Sequence, residues 1–284
     1  MPTPAPLLAG VLGVLLLAGC GGETEPDPGV QEDAGREAEQ ATSAAPEAAT
    51  DGGNLLDVDI DIPEGKALDT LPVGSGALDI DAVALNGGVI TADRDSFGEP
   101  ALRFPAFSLD DEPPRAIVRV TQDASGGVLD VGEDTFTFGV DFALDAVSFG
   151  TTVDGGNNLI QRGLASGESQ FKIDSDGSNV LCRVAGLDGI LEARITADLE
   201  AGEWYRVRCV RRDESVELSL APLSVVGSTV RVTEEGPLGA LSFEEGVPLS
   251  LGGKLAANGA VIRSATDQFN GVLAQPFLTV GEER

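Results

Sequence analysis

Thr135–Leu144 reads TFTFGVDFAL, and its alternation decides the fold class. Phe136, Phe138, Val140, Phe142 and Leu144 fall on one face of an extended chain, and Thr137, Gly139, Asp141 and Ala143 fall on the other. A period of two marks a strand with one face in a core. Shorter runs of the same texture flank it on both sides: 101–104, 116–120, 158–161, 170–173, 180–184, 204–211, 215–220, 230–233, 249–251, 271–273 and 277–280. Gly, Asp, Asn and Pro separate them, and no helical period of useful length interrupts them from Leu55 onward. Many short strands joined by turn signals predict an all-β sandwich or jelly roll of antiparallel sheets.

Two of the turns are specific. Asp176-Gly177 joins 170–173 to 180–184, and Asp213-Glu214 joins 204–212 to 215–220, so both read as antiparallel hairpins. Cys182 and Cys209 lie on the second strand of the first hairpin and the first strand of the next. Pairing of those two strands would bring the sulfurs together, and a bridge closing such a loop contributes about 3 kcal/mol in the chain-entropy model. In an oxidising compartment this pair is expected to be a disulfide.

The third cysteine has a different context. An uncharged apolar run from Leu7 to Ala18 ends in Leu17-Ala18-Gly19-Cys20, the pattern of a bacterial lipoprotein cleavage box. The run is shorter than the ~18–20 apolar residues that span a bilayer, so 1–19 reads as a signal peptide and not as an anchor helix. Two acyl chains on Cys20, at ~0.8 kcal/mol per buried methylene, would hold the mature chain on a membrane. One departure is that Met1–Gly10 contains no Lys or Arg; the alternative is an ordinary secretory leader with an incidental cysteine. Residues 20–53, rich in Glu, Asp, Ala, Pro and Gly, lack the apolar side chains needed to offset ordering entropy and read as an acidic, disordered tether. A helix over Arg36–Ala49 would have no apolar stripe to pack. The folded domain is assigned to 54–284, with 54–100 at its amino-terminal edge.

Charge bounds the function. The 284 residues carry 18 Lys plus Arg against 47 Asp plus Glu, a formal charge of -29. Such a surface repels nucleic acid, which is therefore not a partner, and it repels anionic headgroups. Histidine is absent, which removes the usual neutral-pH general base and the common nucleophile pairs and zinc sites.

The ordered set NNLIQRG (157–163), SQFKID (169–174), VLCRVAG (180–186), EWYRVRCVR (203–211), VPLSLGGK (247–254) and DQFNG (267–271) resembles laminin G-like domains. Within that family it looks like the version carried by actinobacterial secreted proteins and lipoproteins. The resemblance spans roughly Ala101–Gly281. It implies the concanavalin A-like jelly-roll sandwich of two antiparallel sheets, a non-catalytic ligand-binding or adhesion module, a core role for Trp204, and pairing of Cys182 with Cys209. Two positions depart from the pattern: Tyr205 stands where the family has histidine, and Ala274-Gln275-Pro276 replaces an acidic segment of the last strand.

The same superfamily contains glucanases, which need paired carboxylates spaced E-x-D-x-x-E. That spacing does not occur here, so no catalytic residue is assigned and the protein is read as not an enzyme. Asp57, Asp59 and Asp61 read as a solvated strand face. The competing reading is a carbohydrate-binding or glycan-processing domain. The resemblance makes Asp267 and Asn270 a candidate calcium pair in a rim loop. Asp154, Asn157 and Asn158 form a further candidate set, while Asp174, Asp176 and Asn179 read as a hairpin turn. Arg206, Arg208, Arg211 and Arg212 read as a solvent face balanced by Glu203, Asp213 and Glu214. The expected partners are thus a membrane, through the lipid, and an extracellular protein or glycan, at the cell surface.

Overall fold

A computed structural model describes residues 78–122, 127, 129–147, 156–264 and 267–281. The leader, Cys20, the tether, the Asp57–Asp61 run and Asp154 lie outside the described residues. Among the described residues no helix is long and apolar enough to cross a membrane.

Among the described residues fourteen strands form two seven-stranded antiparallel sheets packed face to face. In chain order they are β1 (Leu78–Leu85), β2 (Thr91–Arg94), β3 (Pro100–Arg103), β4 (Arg115–Gln122), β5 (Phe136–Leu144), β6 (Asn157–Arg162) and β7 (Gln170–Ser175). These are followed by β8 (Asn179–Gly186), β9 (Gly189–Thr196), β10 (Trp204–Arg212), β11 (Ser215–Pro222), β12 (Val230–Glu235), β13 (Leu249–Leu251) and β14 (Gly271–Val280). One sheet runs β12-β11-β10-β5-β14-β3-β2 and the other β1-β4-β13-β6-β7-β8-β9. The expected all-β sandwich is therefore observed, and both expected hairpins are present. Asp213 adopts the left-handed conformation (φ 45°) that a two-residue hairpin turn requires.

β5 occupies the middle of its sheet and its inward aromatics build the core. Phe136 and Phe138 meet Phe171 of the opposite sheet at ring-centroid distances of 5.4 and 4.8 Å, and Phe142 stacks on Tyr205 at 5.6 Å. Tyr205 is a core residue whose hydroxyl accepts the Glu200 N–H at 3.0 Å. On its outward side Gly139 leaves space for the Phe277 ring; a Cβ there would lie 2.9 Å from that ring and 2.3 Å from the Val207 carbonyl oxygen.

Three expectations are corrected. First, β8 and β10 do not pair; they belong to opposite sheets, so the Cys182–Cys209 disulfide crosses the core. Its Cα atoms are 6.2 Å apart, closer than the ~10 Å usual between stacked sheets, so the layers draw together there. Both cysteines sit at inward-facing positions, and inward positions of the two sheets face one another. Second, Trp204 lies on the outer face of its sheet against Ala101, Val272 and Ala274, because it shares parity with Arg206. Third, 271–273 and 277–280 are one strand. Between Ala274↔Asp141 and Phe277↔Gly139 a bulge absorbs Gln275 (φ 48°) and Pro276, whose missing N–H costs no ladder bond there.

Replacing Cys182 and Cys209 with Ala is expected to lower stability by about 3.5 kcal/mol or more, the chain-entropy value for a sequence separation of 27. Urea unfolding with and without reductant measures it; equal midpoints would show that the bridge does not form.

Candidate functional site

The registers sort the loops into two ends. β1 enters beside Gln122 and β14 leaves beside Phe136, at one end. The opposite rim carries the loops 86–90, 104–114, 197–203 and 223–229, and the segment 267–270. Six exposed apolar side chains stand at this end in two separate groups: Val89, Phe107 and Leu109 on the β1–β2 and β3–β4 loops, and Val225, Val226 and Val230 at the β11–β12 edge. Phe97, Leu187 and Ile190 stand at the other end.

Asparagines tie the rim together. The Asn158 N–H donates to the Asp267 carbonyl at 2.9 Å, and the Asn270 N–H donates to Asn157 Oδ1 at 3.2 Å. Asn270 Nδ2 donates to the Ala146 carbonyl at 3.3 Å, and the Asp145 N–H donates to the Asn270 carbonyl at 3.2 Å. The start of β6, the end of β5 and the approach to β14 thus meet at one place. Asn157 Nδ2, both polar atoms of the Asn158 side chain, and Asn270 Oδ1 are buried with no hydrogen-bond partner. An unmet buried polar group costs ~1–3 kcal/mol, which marks this cluster as the part of the rim with coordination to spare.

The structure therefore brings Asn157, Asn158, Asp267 and Asn270 together. Asp267 (φ 49°) is held by Lys254, whose Nζ lies 2.5 Å from Asp267 Oδ2. The oxygens of this set match calcium in kind. Their charge is already balanced by the lysine, and among the described residues no group of three or more His, Cys, Asp or Glu is placed so that it could hold a metal ion. Asp176 behaves as the turn residue expected. Its Oδ1 accepts the backbone N–H groups of Ser178 and Asn179 at 3.1 and 2.8 Å. Burial pushes its carboxyl up, but the bonds from Asn179 and Ser178 outweigh this and hold it below the usual carboxylate range. Asp174 points outward to Lys172, and burial raises its pKa against the opposing charge of that lysine.

Two of the β10 arginines, Arg206 and Arg211, are balanced differently from expectation. Arg206 pairs with Asp141 of the neighbouring strand in a bidentate contact, Nε to Oδ1 2.8 Å and Nη2 to Oδ2 2.7 Å. Arg211 is buried and donates to the carbonyls of Glu133, Asp134 and Gly239. Glu203, Asp213 and Glu214 are not the partners of either. Asp141 is 2% exposed, and burial pushes its carboxyl up while Arg206 opposes the rise and Asp95 adds to it. Sequence reading missed this pair, although Asp141 was visible as the one charge in TFTFGVDFAL.

No family model matches the chain, and no curated protein matches it. Similar solved structures include the binding domain of botulinum neurotoxin serotype G (TM-score 0.47, 9% identity, covering 74% of this chain and 45% of that one). Others are the enzymatically active domain of tailspike protein 2 from bacteriophage CBA120 (0.48, 16%, covering 75% and 30%) and the LG1-3 region of the laminin α2 chain (0.41, 9%, covering 75% and 67%). The chain spans less than half the length of the toxin and tailspike chains. The architecture is an all-β sandwich of two antiparallel sheets, and these likenesses assign neither a superfamily nor a role.

Arg206→Ala should cost about 2 kcal/mol at neutral pH, below the ~3–5 of a fully buried pair because Arg206 is 40% exposed at its side chain. The sign of its pH dependence follows from Asp141. The raised folded-state pKa means the native protein binds a proton more readily than the unfolded chain, and loss of Arg206 raises it further. The variant's deficit should therefore shrink as the pH falls through that raised pKa toward the unfolded carboxylate value. Chemical denaturation at several pH values checks this.

Proposed function

We propose that this chain is a cell-surface lipoprotein, lipid-anchored through Cys20, whose laminin G-like sandwich binds an extracellular protein or glycan without chemistry. The observation that carries the reading is the rim opposite the chain's entry, whose loops carry exposed apolar residues at both edges of the sandwich and whose middle holds the buried asparagine cluster. An acidic tether at the entering end would present that rim away from the membrane. Exposed apolar groups on loops, displayed by a rigid sheet scaffold, suit recognition of a partner surface. The non-catalytic part is supported by Asp141, a buried carboxyl whose two oxygens are both engaged by the Arg206 guanidinium, so it is committed to an ion pair.

Three experiments test it. Cells given labelled palmitate should incorporate it into the wild-type chain and not into Cys20→Ala, which should be released; label in both, or neither, defeats the anchor. A Leu109→Ser/Val226→Ser variant should keep the wild-type melting temperature and lose retention on envelope or matrix fractions, while cleavage of any offered glycan would establish the processing alternative. Calcium at Asp267 and Asn270 would have to displace Lys254. Titration to millimolar levels should therefore raise the melting temperature more in Lys254→Met than in the wild type, and no shift in either removes the site.

A further inference from the structure

The outer face of the β1–β9 sheet carries a cavity of about 230 Å³ near the end through which the chain enters. Gln161 of β6 and Ser250 of β13 face each other in register at its base. The β6–β7 loop and residues 242–248 wall it, and Leu255 and Ala257 close a third side. Gln161, Ser250 and Ser169 are each at most 3% exposed. Gln161 Nε2 donates to the Gly163 carbonyl at 2.6 Å, Ser250 Oγ donates to the Gln161 carbonyl at 3.3 Å, and Ser169 Oγ accepts the Ser242 N–H at 2.8 Å. Gln161 Oε1 accepts no hydrogen bond from any described residue, and the Ser169 hydroxyl keeps its proton to give. The base is thus a small polar floor with donors and acceptors in hand.

Above the floor the walls turn apolar, with Leu164, Val247 and Leu255, and at the mouth they turn acidic. Glu168 and Glu244 are exposed there, and no Lys or Arg lines the cavity. In a chain of net charge -29 such a mouth concentrates cations and turns anions away. The volume lies below the ~300 Å³ at which pockets for drug-sized ligands begin, so one short molecule fills it. Phe243 also lines the cavity, and the Arg162 guanidinium, buried and not part of the lining, lies 4.2 Å from its ring centre. Desolvation decides the orientation. A positive charge is favoured at the wet, acidic mouth and disfavoured on the neutral floor.

We propose that this cavity binds a free short-chain amino alcohol. Its ammonium lies against Glu168 and Glu244, its methylenes run along Leu164, Val247 and Leu255, and its hydroxyl meets Gln161 and Ser169. The site is separate from the rim and independent of the anchor.

Calorimetric titration of the full chain at low salt tests it with aminobutanol, the neutral isostere butanediol and the anion hydroxybutyrate. Aminobutanol should bind at one saturable site at least tenfold more tightly than butanediol, weaken as salt rises, and compete with nothing at the rim; hydroxybutyrate should not bind. Glu168→Gln/Glu244→Gln, both at exposed positions, should lower aminobutanol affinity tenfold or more, and Ser169→Ala should lower it through the hydroxyl end. The Leu109→Ser/Val226→Ser variant should bind aminobutanol as the wild type does, so loss of adhesion and loss of amine binding are separable. Equal binding of butanediol, indifference to the double glutamate change, or no binding of aminobutanol overturns the proposal.

Discussion

Everything in this sandwich is arranged around the need to bury the aromatic face of β5. Phe136, Phe138 and Phe142 offer more apolar surface than one sheet can cover, at ~1.5–3 kcal/mol for each ring removed from water. Phe171 from the opposite sheet wedges against Phe136 and Phe138, and Phe243 meets Phe171 edge-on at 5.9 Å. That contact sets the spacing of the layers at the centre, and the disulfide sets a shorter one toward the β8–β9 side. On its outward face the Phe277 ring lies against Gly139 and the Arg206 guanidinium holds Asp141, and every residue of β5 is buried. A carboxylate on such a strand has to bring its own counter-charge. Asp141 therefore depends on Arg206 directly across the ladder, and the pairing that buries the rings also supplies the guanidinium.

The strands that were readable are those in which one face is core and the next is polar. β5, β7, β8, β10 and β11 have that form, and their alternation places them within a residue or two. β9 was missed although Leu191, Ala193 and Ile195 alternate with Glu192 and Arg194; its exposed Ile190 and the short Leu187-Asp188 turn blur the start. β1 was missed for a similar reason, since Leu78 and Ile80 are separated by Asp79 and Asp81 and the strand forms an edge. Parity correctly divided β10 into two faces. What parity does not contain is which sheet a strand joins. That is why two cysteines at inward positions were expected on neighbouring strands and lie across the core, and why Trp204, on the arginine face, was expected inside.

The candidate sites were less legible because they are assembled from residues far apart in sequence. Asn157 and Asn270 are separated by 113 positions, and Ala116 and Gln268, which exchange two hydrogen bonds at 2.9 and 3.1 Å just below the rim, by 152. A motif such as DQFNG signals a rim loop, but it does not reveal that Lys254 takes up the carboxylate of its first residue. The cavity on the other sheet is less visible still. Gln161 and Ser250 carry no signal in a linear reading, and only the β6–β13 register places them side by side.

The charge distribution connects these features. Across the outer face of the β1–β9 sheet one register row reads Asp81, Arg119, Ser250, Gln161, Lys172, Arg183 and Glu192. Its cations are consumed locally: Arg119 by Asp81, Arg183 by Glu192, and Lys172 by Asp174 on its own strand. On the other sheet Arg103 takes Asp93 and Asp145, while Arg206 takes Asp141. These five cations are thereby neutralised at short range, where pairing offsets the loss of hydration. The surplus of acidic groups is left with loops and flanks, where water and counter-ions screen it. Any ligand therefore approaches through a negative field, and a recess in a sheet face whose neighbouring cations are already paired will favour the positive end of whatever enters it.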